Sequence, residues 1–160
     1  MTQQQALRNG LSLAALVISL DQLSKWWITD FIMQPPRIIP VTPFFNLVLG
    51  YNRGVSFGIF DSHFPLNQWL LSLVALAITA ALVIWLARAD KPWLVVTLGL
   101  IIGGAIGNVI DRLVDGAVID FLDFHWGTHH WPAFNVADTG ITMGAAALIL
   151  DSLFARDGKC

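Results

Sequence analysis

The sequence predicts an α-helical membrane protein of four transmembrane helices, with a small β-sheet and an interfacial loop on the outer side. Three observations point there. Hydrophobic residues make up 56% of the 160 residues and charged residues only 12%, with a mean hydropathy of +0.66, which is too apolar for a water-soluble fold of this size. Apolar runs of membrane-spanning length recur along the chain. Between them lie β-branched and aromatic stretches punctuated by Pro, Gly and Asn. The length fits a single domain over residues 1–160.

The first span, 11–31, begins with the apolar run Leu11 to Leu20 and is interrupted by Asp21, Gln22, Ser24 and Lys25. Arg8 ahead of this run resembles the start of a cleavable signal, but no small-x-small site follows, so the segment is expected to be retained. The connection over about 36–62 holds Pro36, Pro40 and Pro43, then Phe44 to Gly50 and Val55 to Phe60, which read as short strands around a turn at Asn52-Arg53-Gly54. The second span, 69–87, has no charge. The third, 93–110, runs into Asn108, Asp111 and Arg112. A second connection, 115–132, turns at Asp115-Gly116 into a strand-like Ala117 to Phe124. The fourth span, 134–154, carries Asp138 near its start and Asp151 near its end. Gly99, Gly103 and Gly107 on the third span, and Gly140 and Gly144 on the fourth, form small-xxx-small stripes that let helix backbones approach closely. These stripes are expected to bring Asp111 and Asp138 onto neighbouring helices.

Basic residues set the orientation. Arg8, Arg88, Lys91, Arg156 and Lys159 fall on one side, against Lys25, Arg37, Arg53 and Arg112 on the other. The first group is expected to be cytoplasmic, with both termini inside. Trp26, Trp27, Trp69, Trp126 and Trp131 would then belt the outer interface, with Trp85 and Trp93 at the inner one. At about 1.5 Å per helical residue, Asp21 lies roughly 15 Å from Leu11, Lys25 roughly 21 Å from Leu11, Asp111 roughly 27 Å from Trp93, and Asp138 roughly 24 Å from Phe154. Because the spans alternate in direction, all four groups fall in the outer half of the membrane. Ionisable groups there are costly and imply a function.

The net charge of −2 and the absence of a basic run exclude nucleic-acid binding as an expectation. Cys160 is the sole cysteine, so no intramolecular disulfide is expected. Asp21, Asp111, Asp115, Asp120, Asp123 and Asp138 all lie on the outer half. Two carboxylates close together in a low-dielectric site share a proton, so that one activates water while the other polarises a carbonyl. Spacing does not select the pair. Asp138 is favoured by its place in a span, and Asp120 by a strand that ends at the mouth of the bundle. Asp21 and Lys25, at i and i+4, suit a local ion pair as well as a catalytic role. Asn108 and Arg112 share a helix face and would anchor a strand or a substrate carbonyl. His125, His129 and His130 match no metal-site spacing, so no metal is expected and their role stays open. Ser24 and Ser56 lack a histidine at helical spacing, which disfavours a serine nucleophile.

Read in order, the blocks "DQLSK" (21–25), "YNRGVSFGIF" (51–60), "GGAIGNVIDR" (103–112), "VIDF" (118–121) and "FNVAD" (134–138) resemble the lipoprotein signal peptidases, or signal peptidase II. The resemblance covers nearly the whole chain. It implies that Asp120 and Asp138 form an aspartyl dyad, with Asp21, Lys25, Asn52, Gly54, Asn108, Asp111, Arg112, Asn135 and Ala137 supporting it or the substrate. One departure is Ser56 before Phe57, where the family has Ala-Phe; a hydroxyl there would bear on substrate preference. The implied enzyme is a membrane-embedded aspartic endopeptidase of the bacterial inner membrane, with its site toward the periplasm. It hydrolyses the bond before the diacylglyceryl-modified cysteine of a prolipoprotein and needs no cofactor. Membrane lipid and a cyclic peptide inhibitor of the globomycin type are the other implied partners. The competing class, a small proton-coupled transporter or channel, predicts polar groups through the full membrane depth, whereas the inner half of the spans is nearly bare apart from Asp151.

Overall fold

This computed structural model describes residues 1–54 and 66–154. The strand expected over Val55 to Phe60, with Ser56, and the C-terminal Arg156, Lys159 and Cys160 lie outside the described residues.

Helix α1 spans Gln3–Trp27 and runs into a π-helical turn, Ile28–Ile32. It starts well before the apolar run because a capping box nucleates it: the Gln5 N–H donates to the Thr2 hydroxyl at 3.2 Å, and the Thr2 N–H to the Gln5 side chain at 2.9 Å. Hydropathy marks where a helix meets lipid, and caps mark where it begins. Strands β1 (Ile39–Thr42) and β2 (Phe45–Asn52) follow, then α2 (Leu66–Ala87) and α3 (Pro92–Val114). Pro92 opens α3 at a position where its missing N–H costs nothing. Gly116, at φ 72°, turns the chain away after the helix ends. Strands β3 (Val118–Trp126) and β4 (His129–His130) precede α4, Val136–Phe154. Phe134, expected inside the last span, instead bridges to Leu122 of β3, and the helix begins only after Asn135.

The four strands pair antiparallel in the order β1-β2-β3-β4. Gly50 lies opposite Asp120 and Asn52 opposite Val118, after a bulge that follows Leu47. Helix α3 is central and packs against α1, α2 and α4. One core cluster joins Ala6 and Ala14 of α1, Leu86 of α2, and Val95, Leu98 and Ile102 of α3. A second, Ile28, Met33 and Phe121, fastens the sheet to the end of α1.

Asp111 and Asp138 do stand on neighbouring helices, α3 and α4, although the two glycine stripes serve different contacts. A Cβ on Gly99 would lie 2.8 Å from the Gly10 oxygen, and one on Gly103 2.7 Å from the Ala14 oxygen, so this stripe faces α1. Gly104, one residue round the helix, meets the Ala137 oxygen of α4, while Gly140 and Gly144 meet the Leu100 and Thr97 oxygens of α3. Residues four apart stay on one face, whereas the next residue turns by about 100°, so α3 needs small residues on two faces to hold two helices close. Helices α2, α3 and α4 are long and apolar enough to cross a membrane.

Candidate active site

Three helix ends and the sheet meet at one end of the bundle, and the buried charges collect there. Lys25 is 2% exposed and Asp21 is fully buried. Lys25 Nζ lies 2.7 Å from Asp21 Oδ2 and 2.6 Å from Asp111 Oδ2. The i, i+4 pairing read from the sequence is thus half of a triad that joins α1 to α3. Gln22, which sequence reasoning did not single out, donates to Asp111 Oδ1 at 2.7 Å and to Asp21 Oδ2 at 3.2 Å. Its place inside the "DQLSK" block was the available signal.

Both triad carboxylates also accept a backbone hydrogen bond. Asp111 Oδ2 accepts from the Ile119 N–H at 3.2 Å, and Asp21 Oδ1 from the Ala137 N–H at 2.9 Å. Ile119 immediately precedes Asp120, and Ala137 immediately precedes Asp138. The triad therefore holds the backbone next to each of these two acids. The bond to Ala137 also satisfies a first-turn N–H of α4, where a carboxylate is favoured by the helix dipole. A Cβ at Gly107 would come 2.7 Å from Asp21 Oδ2, so only glycine leaves room for the triad there.

Two asparagines connect Asp120 and Asp138. Asn135, fully buried, donates from Nδ2 to Asp120 Oδ1 at 2.8 Å and accepts at Oδ1 from the Asp138 N–H at 2.9 Å. It is the N-cap of α4. Asn108 donates from Nδ2 to Asp138 Oδ1 at 2.7 Å. Its Oδ1 lies 3.3 Å from Asn135 Nδ2 and 3.4 Å from Lys25 Nζ, which links the triad to the acids. From the sheet, Asn52 donates from Nδ2 to Asp120 Oδ2 at 3.2 Å while its own Oδ1 accepts from the Gly54 N–H at 3.2 Å. That is an Asx-type turn, and it fixes the amide orientation. Arg112 Nη1 donates to the Asn108 carbonyl at 3.3 Å, and among the described residues its buried Nε has no partner.

Burial, reinforced by the charge of Asp138, pushes the Asp120 carboxyl up to about 7, against the opposing hydrogen bonds from Asn52 and Asn135. A carboxyl in this state keeps a proton near neutrality, which is the condition for general acid and base work by a pair.

All the expected supporting residues come together here: Asp21, Lys25, Asn52, Gly54, Asn108, Asp111, Arg112, Asn135 and Ala137. Two of the six outer aspartates stand apart. Asp115 is exposed at the end of α3. Asp123 accepts from Asn46 at 2.9 Å and lies 2.9 Å from His130 Nδ1. Burial pushes the Asp123 carboxyl up, but those hydrogen bonds outweigh it and hold the group below its ordinary value. His130 therefore has a structural partner, with the His125 ring stacked against it at 4.9 Å. Asp21 and Asp111 lie close by, but both are occupied by Lys25.

The chain matches the family described as signal peptidase (SPase) II over residues 13–154. It is 47% identical over 152 residues to a lipoprotein signal peptidase of Methylorubrum extorquens (strain PA1), covering 92% of this chain and 87% of that one. It is 42% identical over 161 residues to a lipoprotein signal peptidase of Aeromonas hydrophila, covering 99% and 96%. Among solved structures it superposes on a bacterial membrane enzyme determined by the in meso method at 2.3 Å resolution, with a TM-score of 0.83, 28% identity, and coverage of 94% of this chain and 91% of that one.

Proposed function

Because the chain belongs to the signal peptidase II family, we propose that Asp120 and Asp138 are its catalytic dyad, with the other nine residues holding the dyad or the substrate. The enzyme is an aspartic endopeptidase of the bacterial inner membrane that removes signal peptides from prolipoproteins. The observation that carries the dyad is the bridge of amides between the two acids: Asn135 on Asp120 at 2.8 Å and Asn108 on Asp138 at 2.7 Å, with the two asparagines 3.3 Å apart.

The reaction follows from a pair that shares one proton. The ionised carboxylate takes a proton from water as the water oxygen attacks the carbonyl carbon before the lipidated cysteine. The protonated carboxyl hydrogen-bonds to the carbonyl oxygen and stabilises the tetrahedral intermediate. Collapse breaks the C–N bond, and the amine of the lipidated cysteine leaves with a proton from the dyad. The new carboxylic acid gives its proton to the released amine, so the signal peptide ends in a carboxylate, the lipidated cysteine in an ammonium group, and the pair again holds one proton. The pair titrates together, so the proton belongs to both acids. Arg112 Nε, without a partner among the described residues, is available to a substrate carbonyl.

The single domain crosses the membrane four times in this reading, with α1 as the fourth span, both termini cytoplasmic and the dyad toward the periplasm. Membrane lipid surrounds α2 and α4, and a cyclic peptide of the globomycin type would inhibit by occupying the dyad. Replacing Asp120 and Asp138 separately with Asn and assaying cleavage of a lipidated precursor tests the proposal. Each variant should lose at least a hundredfold in rate, the lower range of general acid–base contributions. Full activity in either well-folded variant would sink it.

A further inference from the structure

Beside the dyad a groove of about 380 Å³ runs along the outside of α4, from Asp138 past Ile141 and Thr142 to Met143, walled by Phe134 and Trp131. Asp138, Ile141 and Thr142 stand at i, i+3 and i+4, one face of the helix. The same face continues down α4 through Ile149 and Leu153, both more than half exposed. Among the described residues α4 packs on α3 and α1, which leaves this face uncovered by protein. The wall is held in place: the Phe121 and Leu122 N–H groups both donate to the Phe134 carbonyl, at 3.0 and 2.9 Å, and the Phe134 ring stacks on Phe124. The groove is thus a mainly apolar surface trough, with Asp138, Thr139 and Thr142 as its polar lining. One end opens on a carboxyl of the dyad and the other on the side of a spanning helix.

The substrate class supplies an occupant of matching shape. The nitrogen of the scissile bond belongs to the lipidated cysteine, so the diacylglyceryl group begins only a few bonds from the dyad. A hydrocarbon chain that close to buried carboxylates needs an apolar path out to the bilayer. From Asp138 the groove descends roughly 6–8 Å along α4 by Met143, parallel to the direction a lipid chain takes. We propose that this groove receives one acyl chain of the diacylglyceryl group, and that Thr142 and Met143 on its floor select for chain length. The proposal rests on the signal peptidase reading with Asp138 at the dyad. A groove occupied by ordinary membrane lipid, or by a side chain of the signal peptide, is the alternative outcome.

The test uses the purified full-length enzyme in detergent and two lipopeptides that differ only in their acyl groups, dipalmitoyl and dihexanoyl. Thr142→Trp fills the groove. The expected result is a fall of about tenfold in the ratio of kcat/KM for the long-chain over the short-chain substrate, expressed mainly in KM. An unchanged ratio overturns the proposal, because the chain then lies in the surrounding detergent or lipid. An equal loss on both substrates also overturns it, because the groove then holds the peptide. Should T142W fail to fold, a substrate with a photoreactive group near the end of one acyl chain decides the matter on the unaltered protein. Labelling concentrated on residues 131–143 is expected, and labelling spread over α2 overturns the proposal. Asp138→Asn on both substrates keeps the two ideas separate: loss of all cleavage upholds the dyad whichever way the chain-length ratio falls.

Discussion

Asn135 offers its side-chain oxygen to the Asp138 N–H and its side-chain nitrogen to Asp120, so the residue that starts α4 also aims the acid on the neighbouring strand. With Asn52 on the second oxygen, both Asp120 oxygens already accept hydrogen bonds that favour the ionised form. Burial and the Asp138 charge still win, and the group sits at about 7 instead of its ordinary 3.8. The sign of the consequence follows from linkage. A carboxyl raised in the fold binds its proton more tightly there than in the unfolded chain. Its contribution to stability is fully present below about pH 4 and is lost as pH rises through 7. Activity is expected to decline on the same alkaline limb, by about tenfold per pH unit above 7, as the shared proton leaves. The melting temperature of Asp120→Asn relative to the unaltered enzyme should move in the variant's favour between pH 4 and 8. A flat rate profile from pH 6 to 9, with a constant melting difference, would show that Asp120 holds no such proton.

At the scale of elements, the Lys25 triad ties α1 to α3, and through Ile119 and Ala137 it fixes β3 and α4. Removing only the cation would leave two carboxylates buried without compensation. Lys25→Met is therefore expected to cost roughly 3–5 kcal/mol, while a triple replacement, Asp21→Asn, Lys25→Met and Asp111→Asn, should regain much of it. Thermal unfolding in detergent reads both, and a K25M protein that melts with the parent would remove the triad from this role. The sequence showed much of this region. Hydropathy located α2, α3 and α4 to within a few residues, and depth along the spans placed Asp21, Lys25, Asp111 and Asp138 together. What it missed depends on which way a face points. The stripe at Gly99, Gly103 and Gly107 has the spacing of a helix contact, but spacing carries no partner: it packs on α1, while Gly104, Gly140 and Gly144 make the contact of α3 with α4. Among the six outer aspartates the sequence favoured Asp138 by its span and Asp120 by its strand without selecting a pair; strand register then put Asp120 opposite Gly50 and Asp123 opposite Asn46. The proposed dyad was reached through family resemblance, because pairing an acid on a strand with one on a helix requires tertiary contact.

For the molecule as a whole, the buried charged groups among the described residues, Asp21, Lys25, Asp111, Asp120 and Asp123, lie at the sheet end of the bundle. A conducting path would need such groups through its depth, whereas a hydrolase needs them only where the bond is cut. This one-ended arrangement also changes the weight of the basic residues. Lys25 is bound in the triad and Arg112 bonds the Asn108 carbonyl, so neither reports on loop charge. Among the described residues that leaves Arg37 and Arg53 on the sheet side against Arg8, Arg88 and Lys91 on the other, an asymmetry that favours the second side as cytoplasmic. With that orientation Trp126, 88% exposed at the β3–β4 hairpin, would sit in the interface on the periplasmic side. The orientation can be read with a membrane-impermeant thiol reagent on intact cells, after Cys160→Ser removes the native thiol. A cysteine replacing Thr128 on the hairpin should react, and one replacing Asp90 in the α2–α3 turn should react only after the membrane is opened. The reverse pattern would put the carboxylates on the cytoplasmic face, out of reach of a precursor whose lipidated cysteine has already been exported.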